Sequence, residues 1–152
     1  MAGFVTTLLT CLAQHLEDAG VGVWSPDGTY ARTDLGIYLK AIPGTTGVRD
    51  EGYCLSYYAV SDEATDPGDR ATVAIAGVQV RSRGTKDPRV VDDMDDTVFD
   101  VLHGAQDLLL GSAPGVPVLL AWRNSHANLG QDESGRWEAV SNYYLHLTRP
   151  RA

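Results

Sequence analysis

Five aspartates crowd one short stretch of this chain, Asp92, Asp93, Asp95, Asp96 and Asp100, and they are the first place to look for chemistry. Clustered carboxylates can hold a hard cation or divide acid and base roles, and Asp92 and Asp96 share a face at helical spacing. Metal ligands, however, normally converge from several elements and include histidine or a defined loop pattern. The expectation is therefore a solvated helix face; salt bridges from it to Arg81, Arg83 or Arg89, within one subunit or between two, are the alternative. His15, His103, His126 and His146 stand singly, with no HExxH or HxH pattern. Ser125 and His126 are adjacent, but neighbours on an extended chain point to opposite sides, and no GxSxG elbow supports a nucleophile and its base. The 16 glycines form neither GxGxxG nor a Walker loop. Cys11 and Cys54 are far apart in sequence and suit reduced, buried positions. No metal, no cofactor and no catalysis are expected.

The elements that would position these residues follow from periodicity. Val5, Leu8, Leu9, Leu12 and Leu16 recur at helical spacing between Gly3 and Asp18, and Gly20 ends that helix. Val21–Trp24, Leu35–Ile42 and Gly52–Val60 read as strands. Ser61–Arg70 is acidic and without apolar period, so a solvated loop is expected. In Val73–Arg81 the apolar phase slips at Gly77, which predicts a β-bulge there. A second helix opens at Asp87-Pro88 and is expected to bury Val91, Met94, Val98, Val101, Leu102, Ala105 and Leu108. After a turn at Gly111–Gly115, Val116–Arg123 and Trp137–Leu147 form a hairpin joined by the polar stretch 124–136. The order predicts one domain over residues 1–152. Its class is α+β, a mostly antiparallel sheet of four to six strands with two amphipathic helices on one face. The other face then meets solvent or a partner, and the tyrosines Tyr38, Tyr57, Tyr58, Tyr143 and Tyr144 fall on both sides of the sheet.

One run joins strand to helix: Gly77-Val-Gln-Val-Arg-Ser-Arg-Gly-Thr-Lys-Asp-Pro88. Gln79, Arg81 and Arg83 alternate out of the strand opposite Val78 and Val80, and should point away from the core. With the amphipathic helix before it, the Gly-Ile-Tyr-Leu strand at 36–39 and the closing strand ending Tyr143–Thr148, this run resembles the small minor-capsid or tail-terminator proteins of long-tailed bacteriophages. The resemblance covers most of the chain. It implies a structural protein forming a hexameric ring that caps the tail tube and docks it to the head. The partners it implies are further copies of the chain, the major tail tube protein and a head-completion or neck protein. Gln79, Arg81, Arg83, Arg89, Asp92 and Asp96 become the expected contacts with other subunits or with the tube. Its place would be the virion, at the head–tail junction, after assembly in the host cytoplasm.

Composition bounds these expectations. The chain has 152 residues, 43% of them hydrophobic, and no apolar run approaches the roughly 20 residues of a membrane helix. A net charge of −8 argues against a surface that reads DNA, because duplex affinity comes mainly from Lys and Arg on phosphates. Negative charge in a ring wall would still let DNA slide through without sticking, and it serves solubility equally well. Two readings compete with a tail terminator. A head-completion or neck adaptor is one; a small cytosolic enzyme or ligand-binding domain on the open sheet face is the other.

Overall fold

The computed structural model describes residues 2–44, 47–64, 72–112 and 114–149. In chain order the elements are α1 (Phe4–Asp18), β1 (Gly36–Leu39), β2 (Gly52–Ala64), β3 (Thr72–Arg83), α2 (Pro88–Leu102), β4 (Gln106–Leu110), β5 (Val116–Gln131) and β6 (Trp137–Arg149). The six strands make one sheet in the order β1-β2-β3-β6-β5-β4, antiparallel except where β1 runs beside β2. The class is α+β, as the periodicities imply.

Register decides which residues face the helices. Across β2, β3 and β6 the matched rows Leu55–Val80–Ser141 and Tyr57–Val78–Tyr143 lie on the helix side. Cys54–Arg81–Val140, Ser56–Gln79–Asn142 and Tyr58–Gly77–Tyr144 therefore lie on the other. Helix α2 rests on β3, β6 and β5 at the sheet centre, whereas α1 touches β1 and β2 near one edge and β4 and β5 near the other. A sheet whose opposite edges reach one helix must curl around it.

Burial, rather than capping, holds α1 in place. Its N-cap, Gly3, makes no side-chain capping bond, a loss of only a few tenths of a kcal/mol against Ser or Asp. Leu8, Leu12 and Leu16 are fully buried, and each such side chain contributes roughly 2 kcal/mol by leaving water. Helix α2 has both supports. Asp87 accepts the Arg89 N–H at 3.0 Å, Pro88 occupies the first turn, and Val91, Met94, Asp95, Val98 and Leu102 form its buried stripe.

Four expectations need correction. Ala105 and Leu108 do not extend α2: the helix ends at Leu102, and Gly104, at φ +78°, turns the chain into β4. Leu108 and Leu110 keep the apolar spacing but use it as edge-strand residues against Val118 and Val116. There is also no bulge at Gly77, because β3 pairs with β6 without a shift from Thr72 to Arg83. The core side of β3 is Ala74, Ala76, Val78 and Val80, and the small residues sit opposite Leu147 and Leu145 of β6. Gly77 is required by close approach: a Cβ there would come within 2.4 Å of the Tyr58 ring. The register shift lies instead in β2, between Ala59 and Ser61. Finally, Ser61–Ala64 is strand, and the rest of the expected loop Ser61–Arg70 lies outside the described residues. Val21–Trp24 contributes a single bridge, Val23 to Gly36, in place of a strand.

Candidate functional site

The helix-free face of the sheet presents a graded surface. At one end, Arg81 forks onto Glu138 through Nε and a terminal nitrogen at 3.2 and 2.9 Å. The next row is an amide ladder, in which Gln79 reaches Asn142 at 3.4 Å and Asn142 donates to Ser125 at 2.9 Å. Beyond it lies an aromatic row: Tyr58 over Gly77, then Tyr144, then Trp122 at 5.7 Å ring separation, with His146 also against Trp122 at 4.7 Å. Tyr58 is 36% exposed. Tyr143 is fully buried on the helix side and Tyr57 packs against the core and Phe4, so the tyrosine pairs do place rings on both faces.

Arg83 departs from the expected row. It shares the alternation of Gln79 and Arg81 yet is only 3% exposed. Pro43 and the Arg49–Asp50 segment fold over it, and its guanidinium donates to the carbonyl oxygens of Asp50, Pro43 and Arg49 at 2.7, 3.0 and 3.3 Å. Burial, then the neighbouring Arg136, press its pKa downward, with Asp132 and other carboxylates opposing. Arg83 is thus a bolt between sheet and loop. Arg89 is spent locally on Asp87 at 2.8 Å, whereas Asp92 and Asp96 are exposed on α2.

Asp95 is the residue that sequence reasoning misplaced. The expected solvated face does not include it: Asp95 is 2% exposed. Ser141 donates to it at 2.7 Å, Arg123 at 3.2 Å, and His126 Nδ1 lies 3.1 Å away. The signal was present in the helical period, since position 95 falls on the stripe of Val91, Val98 and Leu102. Arg123 also stacks over Phe99, 4.3 Å from the ring centre, and its backbone N–H donates to His103 Nδ1 at 3.0 Å. One β5 arginine thereby clasps the C-terminal half of α2. Ser, His and Asp meet here without hydrolytic geometry. A triad places the acid and the hydroxyl on opposite ring nitrogens, and here both Asp95 and Ser141 approach Nδ1, with Ser141 fully buried. Replacing Asp95 by Ala should cost about 2 kcal/mol in urea unfolding, since three donors lose their acceptor although Arg123 can turn toward water. An unchanged midpoint would mean the clasp contributes nothing.

Other chemistry finds little footing. Cys11 and Cys54 are free and buried, and burial pushes the Cys54 thiol up to about 11, which keeps it protonated at neutral pH. Among the described residues no group of three or more His, Cys, Asp or Glu is placed to hold a metal ion, and no helix is long and apolar enough to cross a membrane.

Residues 15–149 match the family model described as bacteriophage tail terminator protein. The chain belongs to this family. As a tail terminator family member it is a phage tail structural protein, a component of the virion. A solved structure, a chain of the virion of a native gene transfer agent particle, has a similar fold at 16% sequence identity. The match covers 95% of this chain and 97% of that one, with a TM-score of 0.60. No curated protein matches the chain.

Proposed function

We propose that this tail terminator family member caps the head-proximal end of the tail tube, stops tube elongation and presents the surface to which the head attaches. It acts without turnover, as a ring of identical subunits that the family resemblance sets at six. The observation that carries this reading is the family match over residues 15–149. The helix-free face supports it: a polar row, an amide ladder and an aromatic row lie on one open surface, the mixture that protein contacts use. Stacked tube rings make a heterologous contact that repeats without limit unless another protein occupies the open end. Within this reading Gln79, Arg81, Asp92 and Asp96 remain candidate contacts to the tube or the next subunit. DNA passes through the ring, whose net negative charge keeps phosphates from adhering.

Purified protein added to tail tubes growing in vitro should halt elongation and sit at one tube end, seen by gold labelling in the electron microscope. Tubes that lengthen at the same rate with and without it would refute the capping role. Tubes that bind it only after elongation has stopped by itself would favour a neck adaptor.

A further inference from the structure

We draw no further inference here: the strongest candidate, the apolar patch that the exposed Leu109 of β4 and Leu119 of β5 form beside Pro117 at the edge of the sheet, carries nothing, because no feature of the structure shows what covers it.

Discussion

Lysates of phage lacking this gene are expected to contain filled heads beside tails that have grown past their normal length, with the two unattached. The expectation follows from how tube subunits add. Each ring offers the next the same surface it used, so growth ends only when that surface is occupied by something that does not reproduce it. A chain that binds the last ring and presents a different outer surface does both tasks at once. Its loss should remove the length limit and the head attachment together. Electron micrographs of the deletion lysate measure both. Normal-length tails still joined to heads would exclude the capping role, and normal-length tails lying free would assign the chain to the neck instead.

Arg83→Ala should lower stability by about 3 kcal/mol, whereas Arg81→Ala should change it by less than about 1 kcal/mol. Both arginines alternate out of the same strand, so the contrast isolates what surrounds them. Arg83 donates three bonds to main-chain carbonyls while 3% exposed. Its loss strips Pro43, Arg49 and Asp50 of their attachment to the sheet and leaves acceptors beside a gap. Arg81 holds one carboxylate with its side chain 42% exposed, where water replaces the partner readily. For a chain of this length 3 kcal/mol corresponds to a fall in Tm of roughly 10 °C. Arg83→Lys should recover little, since a point charge cannot reach three carbonyls fixed in different directions. Calorimetry of the three variants checks this. Equal, small shifts for Arg83→Ala and Arg81→Ala would show that the loop is held by other contacts.

Local order along the chain was legible from residue types alone. The spacing of Leu8, Leu12 and Leu16, and of Val91, Val98 and Leu102, requires two helices, because only a 3.6-residue period gathers them on one side. Asp87-Pro88 marks where the second begins, and the order of elements carries the likeness to the tail terminator family. Even the burial of Asp95 is written in its place on the apolar stripe. Its partners are not, because Arg123, His126 and Ser141 come from two other strands and meet it only once the sheet lies under α2. Tertiary structure also decided between Arg81 and Arg83. Strand alternation assigns both to the same face, but Pro43 and the Arg49–Asp50 segment close over one and leave the other in water. The same holds for Leu108 and Leu110, whose spacing fits a helix or an edge strand. Gly104 at positive φ and the open edge of β5 settle the choice. Periodicity reports a face, whereas the identity of what covers that face depends on contacts between residues far apart in the chain.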